Sequence, residues 1–271
     1  MADAGLLARL ADASRVRARG ARVRTPESAL LRGIAARGPA LALRLSTAGF
    51  DLLAEIKWRA PSAGTLAPPR DPAPRARSYA AGGAAAISVL TEPEHFGGSL
   101  HDLARVAETV ALPVLRKDFL VDPYQVLEAR AMGASGVLAI VGIVEDARLR
   151  EITDAANACG MFVLFEIFAL EEVPRTLPLL ERCWRPLLGV NARDLRTLAV
   201  DRERMAAMAR ALPPGVPGVA ESGMEDAEDV AGAAALGYRM ALVGSALMRA
   251  ADPGRAVAAL LAAGRSASCA P

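Results

Sequence analysis

Eight short, continuously apolar runs recur along the chain, and each is followed by a segment with helical hydrophobic period. They are Leu52–Ile56, Ala85–Leu90, Pro113–Leu115, Gly136–Val141, Phe162–Phe165, Pro186–Val190, Val216–Ala220 and Met240–Val243. Between them lie helix-period stretches such as Pro123–Met132, Asp146–Cys159 and Ala227–Leu236. Strands followed by crossover helices pair in parallel, and parallel strands covered on both faces are apolar throughout rather than alternating. A doubly wound open sheet shares this local grammar. Two features favour closure into a (β/α)8 TIM barrel: the count of eight, and a length close to the roughly 250 residues typical of that fold. Polar and charged groups also gather at the C-terminal ends of the runs, where such a barrel places its chemistry.

The whole chain, 1–271, reads as one α/β domain, with about 1–48 forming an N-terminal helical extension packed on the barrel. No linker or low-complexity block divides it. The stretch richest in Pro, Gly and Ala, Ala60–Pro74, reads as a long loop after the first strand. With 53% hydrophobic and 23% charged residues the chain can bury a large core, which excludes disorder. The longest uncharged apolar runs, Ala80–Leu90 and Ala134–Val144, fall well short of a membrane span.

Charge is nearly balanced, 32 basic against 30 acidic residues for a net +2, so there is no footprint for nucleic acid or an anionic membrane. Arg9, Arg15, Arg17, Arg19, Arg22 and Arg24 crowd the N-terminus. Asp3 and Asp12 argue against a transit peptide, no secretory apolar segment is present, and the cluster reads as a solvated amphipathic helix. Cys159, Cys183 and Cys269 lack ligand spacing, and His95 and His101 cannot build a His-rich centre. These features predict a cytoplasmic, reduced protein with no metal and no cofactor.

The strand ends carry the chemistry. Side chains alternate along a strand, so Glu55 and Lys57 share a face; they are either a carboxylate–ammonium pair at the barrel mouth or a surface ion pair. Lys117 closes the third run, where a buried ammonium needs a carboxylate or an anionic ligand. Glu166 is embedded in the apolar MFVLFEIF stretch, where no sheet needs a carboxylate for stability. Asn191 tips the sixth run, with Arg193 and Asp194 in the turn behind it. Glu221, Ser222 and Gly223 end the seventh run, and Gly244 and Ser245 open a short helix after the eighth. Loops after strands seven and eight, with the N-terminus of a short helix, form the usual anion cup of such barrels. A Gly-Ser pair alone would serve equally as a helix cap.

The segments AEIKWRAPS, AAAISVLTE with HFGGS, LPVLRKDFLVDPYQVLEARAMGA, VLFEIF, GVNARDLRT, AESGM and ALVGSALMR, spanning Asp51 to Arg249, resemble indole-3-glycerol phosphate synthase. That family closes 1-(2-carboxyphenylamino)-1-deoxyribulose 5-phosphate into indole-3-glycerol phosphate, losing CO2 and water. The resemblance implies that Lys117 protonates the ketone oxygen and that Glu166 exchanges protons during dehydration. Lys57 would hold the substrate carboxylate or join in proton transfer, while Glu55, Asn191 and Glu221 orient lysines and hydroxyls. Ser222, Gly223, Gly244 and Ser245 would line the carboxylate and phosphate end, and Phe96, Phe119, Leu138, Leu195 and Leu242 the aryl wall. It further implies a small phosphorylated substrate and a monomer or weak homodimer. The chain departs from the family pattern at Trp58, Arg59, Ala60, Ala63, Phe168 and Ala192, none of them assigned to proton transfer. Other readings are a paralogue acting on an altered aryl substrate, a sugar-phosphate isomerase, and a barrel that binds without turnover. The isomerase would need an Asp–Cys or paired-Asp couple at the strand ends, which is absent.

Overall fold

The computed structural model describes residues 5–68, 70–193 and 199–268. Its core is a closed barrel of eight parallel strands: β1 (Asp51–Ile56), β2 (Ala86–Leu90), β3 (Val114–Lys117), β4 (Gly136–Ile140), β5 (Phe162–Ile167), β6 (Pro186–Asn191), β7 (Gly218–Glu221) and β8 (Met240–Val243). Each strand pairs with its sequence neighbours, and β8 closes on β1 through Asp51 opposite Met240 to Ala54 opposite Val243.

Each of the eight runs became a strand, but several strands reach further than their apolar residues. β3 includes Arg116 and Lys117, β5 includes Glu166, and β6 ends on Asn191. Backbone pairing continues while the inward side chains turn polar near the mouth. The seventh strand starts at Gly218 rather than Val216. The Ala60–Pro74 stretch is not bare loop: Arg59–Ala60 pairs antiparallel with Gly64–Thr65, and a helix opens at Ala73.

Two apolar clusters explain why the strands are buried on both faces. Inside the barrel, Leu53, Ala86, Leu115, Leu138, Phe162, Leu164, Leu187, Val219, Met240 and Leu242 pack together. Outside, the alternate positions such as Leu52, Ile87, Val137, Val163, Leu188 and Val243 meet the helices. Small and large residues interlock: a Cβ on Gly136 would strike the Phe162 ring, so only glycine lets that ring fill the interior. Burying a side chain the size of leucine or phenylalanine contributes about 1.5–3 kcal/mol, so this two-sided core supplies most of the stability.

The helices between the strands start and stop on local signals. Ser99 caps Leu100–Thr109, and Asp122 with Gln125 forms a capping box on Pro123–Ala131. Asp201 caps Arg202–Ala209 and Asp226 caps Ala227–Ala235. Gly83, Gly133, Gly160 and Gly237, at φ between 66° and 97°, make the left-handed turns that lead back into strands. Trp184 is three-quarters exposed in the turn before β6, at the end of the barrel opposite the mouth. Among the described residues no helix is long and apolar enough to cross a membrane.

Two helices precede the barrel: α1 (Leu6–Arg24) and α2 (Glu27–Ala35). α1 lays Leu10 and Ala11 against the interior-facing cluster, with Leu6 and Leu7 beside them. Its arginines are not uniformly solvated, which corrects the expectation from sequence. Arg17 donates to buried Asp118 at 2.9 Å, and Arg22 donates to Asp122 at 2.8 Å while lying 5.2 Å from the centre of the Tyr124 ring. Further bonds tie the extension down, including Tyr124 Oη to the Thr25 carbonyl at 2.8 Å and Gln125 Nε2 to Ser14 Oγ at 2.9 Å.

Candidate active site

Inward phase along each strand delivers the charged groups to one mouth. β1 presents Glu55, followed in the same phase by Lys57, and Lys57 Nζ lies 2.7 Å from Glu55 Oε2. β3 presents Lys117, whose Nζ is 3.3 Å from Glu221 Oε2 on β7 and 3.6 Å from Glu166 Oε2 on β5. Asn191 on β6 donates from Nδ2 to Glu166 Oε1 at 2.5 Å and accepts the Arg193 amide at 3.0 Å. All three glutamates are 1–2% exposed. Glu55 with Lys57 is therefore not a surface pair.

Glycine makes room for this density of charge. Gly189 sits beside Glu166 in the pairing of β5 with β6, and a Cβ there would overlap Glu221 Oε1. A Cβ on Gly244 would overlap Glu55 Oε2 and stand 2.9 Å from Lys57 Nζ. We expect Gly244→Ala to lower kcat/KM about 100-fold by displacing that pair, since small misplacements of reacting groups cost that much. Steady-state kinetics beside a melting curve checks this; a displaced pair leaves the melting temperature within a few degrees.

Electrostatics sort the five groups. Burial alone would depress the Lys117 pKa, but the charges of Glu166, Glu221 and Glu55 outweigh it, so the ammonium persists above its ordinary range. Burial and repulsion from Glu166 push Glu221 up to about 8, against the pull of Lys117. Near pH 7 Lys117 is thus an ammonium while Glu221 holds its proton. Glu55 Oε1, both Glu221 carboxyl oxygens and Ser88 Oγ are buried without a hydrogen bond among the described residues. Buried oxygens in that condition are acceptors or donors suited to a ligand.

The cleft over these groups spans about 1040 Å³, with the open solvent at its mouth included. It brings together every described residue that the sequence assigned to catalysis or substrate binding: Glu55, Lys57, Phe96, Lys117, Phe119, Leu138, Glu166, Asn191, Glu221, Ser222, Gly223, Leu242, Gly244 and Ser245. Leu195 lies outside the described residues. Phe96 and Phe119 face each other with ring centroids 6.1 Å apart at 34°, forming one wall. Ser222 is the one non-glycine residue with positive φ among those described, at 67°, followed by Gly223 at 75°. The bend after β7 and the start of the short helix Ser245–Arg249 after the neighbouring β8 both line the cleft.

Sequence reasoning missed part of the lining. Leu6, Leu7 and Leu10 of α1 roof the cleft, and Ile140, Phe168 and Arg193 border it. The last three continue the inward phases Leu138–Ile140, Glu166–Phe168 and Asn191–Arg193, so counting by twos would have found them. No comparable signal assigns the α1 leucines to the mouth. Trp58, read only as a departure, is buried and donates its indole N–H to Asp102 at 3.1 Å; Ala60 borders the cleft directly.

A family model described as indole-3-glycerol phosphate synthase matches residues 21–260. Over 221 residues the chain is 47% identical to the indole-3-glycerol phosphate synthase of Mycobacterium avium, covering 82% of this chain and 80% of that one. Over 210 residues it is 49% identical to the enzyme of the same name from a Nocardioides species, covering 78% and 79%. Among solved structures, the 3-hexulose-6-phosphate synthase of Salmonella typhimurium aligns with a TM-score of 0.62 at 17% identity, over 80% of this chain and 99% of that one. The thiamine phosphate pyrophosphorylase of Pyrococcus furiosus gives 0.59 at 16%, over 80% and 96%. At such identities these two structures share the fold alone.

Proposed function

Because the chain belongs to the indole-3-glycerol phosphate synthase family, we propose that the lysines and glutamates of the barrel mouth divide that family's ring closure among them. The enzyme is a carbon–carbon lyase of tryptophan biosynthesis acting on a small phosphorylated substrate. It converts 1-(2-carboxyphenylamino)-1-deoxyribulose 5-phosphate into indole-3-glycerol phosphate with loss of CO2 and water.

Lys117 is the general acid. Attack of the aryl carbon on the ketone turns the carbonyl oxygen into an alkoxide, and an ammonium both protonates it and stabilises the charge as it develops. The single observation that carries this assignment is Lys117 Nζ held between Glu166 and Glu221 at 3.6 and 3.3 Å, which keeps the ammonium charged. Glu166, oriented by Asn191, removes the proton that lets the hydroxyl leave as water. Lys57, braced by Glu55, grips the substrate carboxylate until it departs as CO2.

Closing the ring interrupts aromaticity, so the two reacting carbons must be held within about 3–3.5 Å of each other. Ser222, Gly223, Gly244 and Ser245 hold the phosphate end, on the loop after β7 and the helix start after β8, where barrels of this kind bind anions. Phe96, Phe119, Leu138 and Leu242 confine the ring, and Leu195 completes that wall in the assignment from sequence. On this reading the enzyme works in the cytoplasm as a monomer or weak homodimer.

Incubation with the carboxyphenylamino-deoxyribulose phosphate, following indole fluorescence and CO2, tests the assignment; absence of turnover sinks it. The pH profile adds a sharper expectation. Glu221 is raised to about 8, so it is neutral below that pH and charged above it. Ionisation adds a negative charge to a mouth that must receive a dianionic phosphate and a carboxylate. KM is expected to rise as pH passes 8, and Glu221→Gln to remove that limb. A KM that stays flat from pH 7 to 9 in the wild type would refute it.

A further inference from the structure

We propose that Arg17 is a positioning residue for the aryl slot, acting on both rings of its aromatic wall at once. The proposal rests on the reading of Phe96 and Phe119 as the wall that holds the substrate ring. Arg17 does not border the cleft. It projects from α1 with a quarter of its side chain exposed, placing Nη2 2.9 Å from Asp118 Oδ1 and Nη1 3.6 Å from Glu92 Oε1. Both carboxylates are buried, Glu92 at 0% and Asp118 at 2% exposure.

Each carboxylate organises the loop that carries one ring of that wall. Glu92, just past β2, accepts the amides of Glu94, His95 and Phe96 at 3.1, 2.7 and 3.1 Å. Asp118, just past β3, accepts the Phe119 amide and the Thr91 hydroxyl, each at 2.8 Å. Asp118 has a second cation in Arg116 at 3.1 Å, and Glu92 has the His95 imidazole at 3.6 Å. Among the described residues, Arg17 alone is paired with both carboxylates. A carboxylate that caps amides must be held in place, and one guanidinium hydrogen-bonds Asp118 while its other nitrogen stands at ion-pair distance from Glu92. The guanidinium fork spans two anions at once, which an ammonium cannot do with the same geometry. The spacing of the two rings thus depends on a residue outside the slot.

The test uses anthranilate and inorganic phosphate, which probe opposite ends of the cleft. Arg17→Met is expected to weaken anthranilate binding and raise the substrate KM about tenfold, with kcat lowered less than about threefold. Inorganic phosphate should inhibit it as it does the wild type. Arg17→Lys should recover only part of the loss. Glu92→Gln, which keeps the Arg17–Asp118 pair, should reproduce the anthranilate defect. Hydrogen exchange of the α1 amides separates slot geometry from undocking of the helix, and must match the wild type in both Arg17→Met and Glu92→Gln. Equal weakening of both probes, faster α1 exchange with either variant, or wild-type anthranilate affinity in Arg17→Met would overturn the proposal. Wild-type protein that turns over substrate yet binds no anthranilate would instead sink the underlying reading of the slot.

Discussion

Lys117→Met is expected to lower kcat by about 10⁴-fold while the barrel stays folded, because it removes both the proton and the positive field at the forming alkoxide. Methionine keeps most of the chain length and leaves no cavity that would confound the result. The loss should reach kcat and kcat/KM alike, as for a group that acts only in the transition state. The substitution also strips Glu166 and Glu221 of the ammonium that sits 3.6 and 3.3 Å from them. Glu221 is then left with burial and the repulsion of Glu166 and loses the pull of Lys117, so its proton affinity rises further. A carboxyl whose folded pKa exceeds its unfolded value weakens the fold as pH climbs between the two. The variant should therefore melt closer to the wild type at pH 6 than at pH 9. Turnover above about a tenth of the wild-type rate would mean that another group protonates the ketone oxygen.

Glu166→Gln should separate the two halves of the reaction. Glutamine keeps the shape and still accepts the Asn191 amide through its carbonyl oxygen, but it cannot take a proton. If Glu166 serves dehydration alone, CO2 should be released in a burst of about one equivalent per active site while indole formation falls by about 10³-fold. Stopped-flow indole fluorescence beside CO2 capture from carboxyl-labelled substrate measures both. Loss of the CO2 burst together with indole would place Glu166 in the ring closure instead. Indole formation near the wild-type rate would remove it from the mechanism.

Much of this site was legible because a barrel strand is a simple alternation. Glu166 declares itself as the lone carboxylate in an apolar stretch, and Glu55 with Lys57 share a phase two residues apart. The same rule extends to Phe168 and Arg193, one further step along their strands. What alternation cannot supply is the partner of a helix face. Leu6, Leu7 and Leu10 look like any apolar stripe, and nothing along the chain says whether such a stripe covers a core or a substrate. Arg17 looks like its neighbours Arg15 and Arg19, yet it alone of these meets two buried carboxylates. The elevated proton affinity of Glu221 is likewise a property of distance, since the groups that set it come from three other strands.

The placement of the chain's two indole side chains gives the barrel a built-in optical asymmetry. Trp58 directly follows Lys57 in the loop after β1, 4% exposed and tethered to Asp102, whereas Trp184 is 75% exposed in the turn at the far end. An apolar surround shifts indole emission to shorter wavelength and water shifts it longer, so the molecule emits from two spectrally distinct lamps. Extinguishing the distant one with Trp184→Phe leaves a single indole, in the loop that directly follows Lys57, as an unlabelled reporter of that loop's surroundings.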